Sequence, residues 1–233
     1  QSIGLLFGIA IVLISGSYIA PTLNWNGYFL PGIITGIAGF LGLTSFYAGL
    51  ATGRMGVVSP ISSLGALLPF TIALIGGERP MRLQLLGMVI ALIGGFCASG
   101  PELNNGLPVK PLFYALGATF GFGIALTFMA KGSETSPLLT MTMMRVTSVS
   151  ICILIALRYR QIGGFKLKDL PMLAFIGVAD FLANYLLGLA TTKGLVSIAM
   201  VLGSLFPIVT AVLAFKFLHE RLHKVQYLGI LLQ

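Results

Sequence analysis

Charge is what this sequence has least of. Charged residues make up 9% of its 233 positions, only six of them acidic, while 57% are hydrophobic. No soluble domain of that length hides so much apolar surface, so the composition excludes a water-soluble protein and implies an integral membrane one. The net charge of +8 would suggest nucleic acid in a soluble chain. Here the Lys and Arg residues fall mostly in short connections between apolar runs, where they set topology, and no nucleic-acid partner is expected. Cysteine is scarce too. Cys97 and Cys152 lie inside apolar runs without a partner at framework spacing, which excludes a disulfide scaffold and reads as two buried thiols. No G-x-x-x-x-G-K-[ST] phosphate loop occurs, so transport driven by ATP hydrolysis within this chain is not expected. The longest connections, 101–110 and 158–169, are too short for a catalytic domain. No signal peptide is visible. The chain opens at Gln1 without a start methionine and stops at Gln233 inside an apolar run, so it reads as a fragment of a longer protein.

What is present is a series of apolar runs, each about long enough to cross a hydrocarbon core of roughly 20 residues. They fall at 3–21, 29–50, 57–77, 84–100, 111–130, 137–157, 170–189 and 195–217, and a ninth begins near 225. None shows the alternation of a membrane barrel, and backbone groups in lipid must be satisfied internally, so these runs are read as helices. The chain also repeats itself. Leu64-Gly65-x-x-x-Pro69, Glu78-Arg79 and Gln84-x-x-Gly87 return as Leu202-Gly203-x-x-x-Pro207, Glu220-Arg221 and Gln226-x-x-Gly229. Gly49-Leu-Ala-Thr52 is answered by Gly188-Leu-Ala-Thr191, and Val58-Ser59 by Val196-Ser197. An offset of about 140 residues means two repeats that nearly fill the chain. Laying the second on the first leaves the span at 111–130 without a partner, so one helix is missing upstream of Gln1. Ten spans in two repeats of five follow, and an odd number per repeat inserts the two halves in opposite orientations, a transporter architecture.

Ionisable groups at membrane depth are expensive and are paired, wetted or functional. Two fall within spans, Arg145 and Asp180. They lie at matching depth, so they read either as a structural ion pair or as a site in which Asp180 accepts a proton or a substrate amine beside Arg145. Asn184, one turn from Asp180, extends the polar stripe. Ser59, Ser63, Ser197 and Ser204 form a second set of candidates for substrate binding or coupling, although serines in helices commonly bond their own backbone. Tyr47 joins them as a hydroxyl within a span. Pro69 and Pro207 occupy matching places in the two repeats and read as hinges. Glu78, Arg79, Glu220 and Arg221 read as structural turn residues that complement helix dipoles. Trp25 and Tyr28, at a span boundary, read as interfacial anchors. Small residues three or four apart, as at Gly32 and Gly36, let helix backbones approach closely.

His219-Glu220-Arg-Leu-His223 matches H-E-x-x-H, the zinc-protease pattern. The first repeat keeps Glu78-Arg79 there without histidine, and the histidines straddle a turn, so no metal site is assigned. An intramembrane zinc metalloprotease stays as the reading from a different class.

The whole set, Gly49-Leu-Ala-Thr-Gly-Arg-Met-Gly-Val-Val-Ser-Pro60 with its Leu-Gly-x-x-x-Pro, Glu-Arg and Gln-x-x-Gly partners given twice, resembles EamA-type members of the drug/metabolite transporter superfamily. The resemblance covers essentially the whole chain. It implies an all-α membrane fold of two inverted five-helix repeats. Residues 1–100 would be the first EamA repeat, with helices 2–5 of ten; 101–110 the linker; and 111–233 the second repeat, with helices 6–9 and the start of helix 10. It further implies a central cavity lined mainly by the first, third and fourth helices of each repeat, and alternating access that moves amino-acid-like, other metabolite or drug-like molecules. The expected partners are a small-molecule substrate, the lipid bilayer and protons as candidate coupling ions, with no cofactor and no enzymatic activity. The expected location is the plasma or inner membrane. A lipid-carrier translocase of the same fold is the third reading. Four Lys and Arg residues on one face (Arg79, Arg82, Lys131, Lys193) against eight on the other put the second face in the cytoplasm. The family's usual orientation, with both termini cytoplasmic, is the opposite.

Overall fold

The computed structural model describes residues 1–52, 55–98, 109–160, 167–205 and 224–231. Among these the chain is helical, without strands. The helices are α1 (Ser2–Ser15), α2 (Phe29–Leu50), α3 (Met55–Ser63), α4 (Leu67–Ile75), α5 (Arg82–Ala98), α6 (Val109–Ser133), α7 (Pro137–Tyr159), α8 (Leu170–Lys193), α9 (Val196–Gly203) and α10 (Lys224–Leu231). Five described segments are long and apolar enough to cross a membrane: Phe29–Leu50, Val58–Ile75, Val109–Ser133, Pro137–Tyr159 and Leu170–Lys193.

Local chemistry sets the helix ends. Ser136 caps α7, its hydroxyl accepting the Leu139 N–H at 3.3 Å, and Pro137 takes the first helical position, where its missing N–H costs nothing. Ahead of α5, the Gln84 side chain accepts the Met81 N–H at 2.8 Å. α1 ends at Ser15, six residues before the apolar run does, and its cap Gly16 has a left-handed φ of 61°. Composition marks what the lipid tolerates, and the glycine decides where the helix stops. The connection that follows is strapped down. Tyr28 donates its hydroxyl to Ile19 O at 2.7 Å, and Thr135 Oγ1 donates to Asn26 O at 2.8 Å. Tyr28 is buried rather than interfacial, whereas Trp25 is exposed beside Phe128.

By its internal contacts the chain forms two compact units, one of residues 1–39 and 127–193 and one of residues 40–126 and 194–233. Neither follows the sequence repeats, since each takes helices from both.

In the first unit α1 packs on α7 and α8. A Cβ on Gly4 would lie 2.8 Å from Gly177 O, and one on Gly8 would lie 2.6 Å from the Phe181 ring. The start of α2 meets α7 at Gly32 and Gly36, where a Cβ would lie 2.7 Å from Met143 Cβ and 2.8 Å from Met144 O respectively. In the second unit Ala66, Phe70, Met88, Ala91, Leu92 and Val201 form a core shared by α4, α5, α9 and the turn before α4.

That turn, Leu64–Ala66, is 3-10 helix between α3 and α4. Pro69 itself lies in the first turn of α4, so the irregularity sits four residues ahead of the proline. The cause is the absent N–H, which leaves Gly65 O without its i+4 donor and lets the chain tighten there. At the corresponding place in the second repeat α9 ends in a turn, where Leu205 N donates to Leu202 O at 3.2 Å. Pro207 lies outside the described residues.

Neither thiol is fully buried, contrary to the reading of two buried thiols. Cys152 is exposed on α7 and Cys97 is half-buried on α5, because an apolar run in a membrane helix faces lipid as readily as protein.

Two outcomes are expected. Gly36→Ala lowers the melting temperature in detergent, whereas Gly87→Ala, where a Cβ would meet nothing within 4 Å, does not. Burial, then the neighbouring Tyr18, raises the Tyr28 pKa above 10.0. The folded state therefore holds that proton more tightly, so its contribution is complete below pH 10 and falls away above it. Thermal melts across pH 8 to 11 are expected to show this alkaline loss in the wild type and less of it in Tyr28→Phe.

Candidate functional site

Of the candidate residues, Arg145, Asp180 and Asn184 come together in the first unit. Asp180 sits on α8 ~15 Å from the start of that helix at 1.5 Å per residue, which is membrane depth. Its neighbour Phe181 is fully buried against α1, stacked edge-on with Phe7 at 5.8 Å. With Gly177 and Phe181 fixed on α1, the α8 helix presents Asp180 to α7. There Arg145 Nη2 approaches Asp180 Oδ2 to 2.7 Å. Asn184 donates through Nδ2 to Asp180 Oδ1 at 3.1 Å and to Asp180 O at 2.8 Å.

The pair is lopsided. The Arg145 side chain is 3% exposed and that of Asp180 50%. A buried guanidinium without its counterion would cost several kcal/mol, so the carboxylate is required where it stands. Half of its surface nevertheless remains reachable. Among the described residues Asp180 is the only acid inside a membrane-length helix, since Glu78, Glu134 and Asp169 lie in turns or at a helix start.

The serine candidates lie in the second unit, and three of them are already engaged. Ser63 Oγ donates to Pro60 O and Ser204 Oγ to Val201 O, each at 2.7 Å. Both bond their own helix, as helical serines commonly do. Ser59 is half-buried in α3, and its carbonyl accepts from Ser62 Oγ at 2.9 Å. Tyr47 is exposed beside Phe46 near the end of α2.

Ser197 has a partner that sequence reasoning missed. The Glu78 carboxylate accepts from Val196 N at 2.7 Å, Ser197 N at 3.1 Å and Ser197 Oγ at 2.6 Å. It closes the N-terminus of α9 across 118 residues of sequence. Helix N-termini carry unsatisfied N–H groups and partial positive charge, so a carboxylate there stabilises the helix. Gly77, with φ of 102°, makes the turn that delivers it. A signal was available, because Glu78 and Val196-Ser197 both belong to sets that the repeat gives twice. The counterpart Ser59 does not stand at a helix start, since α3 begins at Met55. Arg79 is exposed. Glu220, Arg221, Pro207, His219 and His223 lie outside the described residues.

Thr119 was also missed. Its hydroxyl, on α6, donates to Ile61 O on α3 at 2.7 Å, where Gly65 and Gly123 let the two backbones meet.

The EamA-like transporter family profile matches residues 109–233. An uncharacterized protein of Methanocaldococcus jannaschii is 30% identical over 111 residues, which are 48% of this chain and 81% of that protein.

Glu78→Ala is expected to cost about 1–2 kcal/mol as a lost helix cap, seen as a lower melting temperature in detergent. Arg79→Ala, next to it and exposed, is expected to leave stability unchanged.

Proposed function

The chain belongs to the EamA-like transporter family, a family of membrane transporters, and on that premise we propose that it carries small organic molecules with a cationic amine. The amine meets Asp180 and Asn184. Access alternates between the two sides of the membrane, without ATP, by exchange or by coupling to protons taken up at Asp180. The cell membrane is its proposed location, and the parent protein has ten helices in two inverted repeats.

The observation that carries this reading is the half-exposed Asp180 carboxylate at membrane depth. A carboxylate needed only to neutralise Arg145 would be best hidden with it, because every exposed ångström at that depth faces lipid or solvent. Asn184 adds an amide oxygen beside the carboxylate, since its Nδ2 is spent on Asp180. The reachable surface is therefore acceptor-rich and negative, which suits an ammonium group. The hydroxyls of Ser63, Ser197 and Ser204 in the other unit serve their own helices or Glu78, and are left out of the recognition step.

Counterflow in proteoliposomes containing the complete reading frame tests this. A panel of radiolabelled amines and amino acids is expected to reveal at least one exchanged substrate, and Asp180→Asn is expected to lower its exchange at least tenfold while the protein stays monodisperse. Undiminished exchange in Asp180→Asn would sink the assignment. If a pH gradient drives wild-type uptake and Asp180→Asn has lost that drive, proton coupling belongs to the same carboxylate.

A further inference from the structure

We infer that Glu78 is a positioning residue of the transport cycle: it holds the turn between α8 and α9 in one of two positions, and its release lets that turn slide into α8 by about one helical turn. The inference rests on the reading of two inverted repeats given above.

The chain writes this turn twice in nearly the same residues and folds it differently. Gly49-Leu-Ala-Thr52 returns as Gly188-Leu-Ala-Thr191, an offset of 188 − 49 = 139, and Gly56-Val-Val-Ser59 returns as Gly194-Leu-Val-Ser197, an offset of 194 − 56 = 138. In the first copy α2 stops at Leu50. Thr52 N turns back on Gly49 O at 3.0 Å, the i→i−3 bond of a tightened helix end, and the Thr52 hydroxyl donates to the same carbonyl at 2.6 Å. α3 has begun by Met55, so Val58 and Ser59 lie inside it, where a helix supplies each N–H with a carbonyl four residues back. In the second copy Thr191 is still helical, α8 runs on to Lys193, and α9 begins only at Val196. Leu189 is the counterpart of Leu50, so α8 is longer by 193 − 189 = 4 residues. Val196 is the counterpart of Val58, so α9 starts 58 − 55 = 3 residues later than α3. Both differences are about one turn of helix, 3.6 residues.

What holds the second copy is its cap. Glu78 takes the N–H groups of Val196 and Ser197 and the Ser197 hydroxyl. Its own backbone is fixed, since Glu78 N donates to Ala73 O at 3.0 Å and Gly77 N to Leu74 O at 3.2 Å, closing the end of α4. One residue thus finishes α4 with its backbone and starts α9 with its side chain. Gly194 accepts a turn and resists a helix interior, so the local sequence does not oppose the clamped form. Without the carboxylate, Val196 and Ser197 find acceptors at Thr192 O and Lys193 O once α9 grows toward α8, and α3 shows that a Gly-x-Val-Ser stretch takes that form. Glu78 is only half-buried, so water can take the carboxylate when the turn leaves it.

An inverted-repeat carrier that faces one side of the membrane has its two equivalent halves in unlike shapes, and exchanging those shapes turns it to the other side. The two copies of the turn are such an unlike pair, and a shift of one turn between packed positions is a known kind of switch. α8 is also the helix that carries Asp180 and Asn184. The slide therefore shortens the helix on which the proposed site stands.

Hydrogen exchange resolved to single amides, on the complete protein in detergent, tests the turn by comparing wild type with Glu78→Ala. Sliding is expected to speed exchange at Thr192 and Lys193 at least tenfold while Val196 and Ser197 stay protected. A fixed cap gives the reverse, fraying at Val196 and Ser197 with the end of α8 unchanged, and that result overturns the inference. Glu78→Gln keeps the size of the side chain and removes its charge, so it decides in the same way if Glu78→Ala does not fold. Participation in the cycle is read in proteoliposomes. With Cys97→Ala and Cys152→Ala as background, Glu78→Cys and Ser197→Cys are bridged by 1,2-ethanediyl bismethanethiosulfonate, and counterflow of a substrate from the amine and amino-acid panel is followed. The bridge is expected to lower exchange at least tenfold and a reductant to restore it, because locking a contact that must open stops the cycle. Exchange undiminished by the bridge also overturns the inference, since the contact then stays closed throughout. Wild-type counterflow keeps the alternating-access reading alive in either failure. A wild type that exchanges nothing in the panel counts against that reading instead, and the amide pattern still decides the turn.

Discussion

Helix backbones in this protein meet where side chains are missing, and the placement of its charges depends on those meetings. In lipid there is little hydrophobic gain from bringing two apolar helices together, so close packing has to supply the association. α1 presents Gly4 and Gly8 to α8, and α8 returns Gly177 and the ring of Phe181. That fit sets the rotation of α8 about its own axis. With Phe181 on α1, Asp180 is turned to α7 and meets Arg145. A bulky residue at Gly4 or Gly8 would displace α8, and the first consequence would be electrostatic, because a guanidinium buried to 3% exposure has no second anion among the described residues to fall back on.

The second unit answers the same constraint by a different route. Pro69 cannot donate to Gly65 O, so the span that contains it tightens to a 3-10 turn at Leu64–Ala66. Gly65 then lies flush against Thr119, Phe122 and Gly123 of α6, and the Thr119 hydroxyl bonds across to Ile61 O. What looks like damage to a helix becomes its point of closest contact. Glu78 works at the other end of this arrangement, anchoring the first turn of α9 to the α4–α5 connection.

How much of this could be read beforehand depended on whether the signal was local. Phe29–Leu50 was readable to the residue from the apolar run, and so was the start of α7 at residue 137, because length and the cost of bare backbone in lipid are properties of a short stretch. The early end of α1 at Gly16 was missed because apolarity continues beyond it. The turn at Gly65 was assigned to Pro69, since a missing N–H acts on the carbonyl one turn earlier, not at the proline. The clamp on Ser197 joins residues 119 apart, and although the repeat gives both stretches twice, it does not pair one with the other. Arg145 and Asp180 were found as a pair because charge is so scarce here that two ionisable groups at one depth have few alternatives. Their unequal exposure was not readable, since it depends on which side of α8 faces its neighbours.

The repeat separates what the fold needs from what the site adds. Glu-Arg, Val-Ser and Leu-Gly-x-x-x-Pro stand in both halves, and the copies that can be seen act on backbone, as a cap on α9 and as the 3-10 turn before Pro69. Arg145, Asp180 and Asn184 stand in one half only. A device that the architecture required would be needed twice, because each repeat must insert and pack on its own terms. Duplication therefore marks structure in this chain, and its absence marks specificity. By that criterion the serines that looked most like ligands from their repetition fall to the scaffold, and the proposed substrate contact falls to the ion pair that looked most like a structural staple.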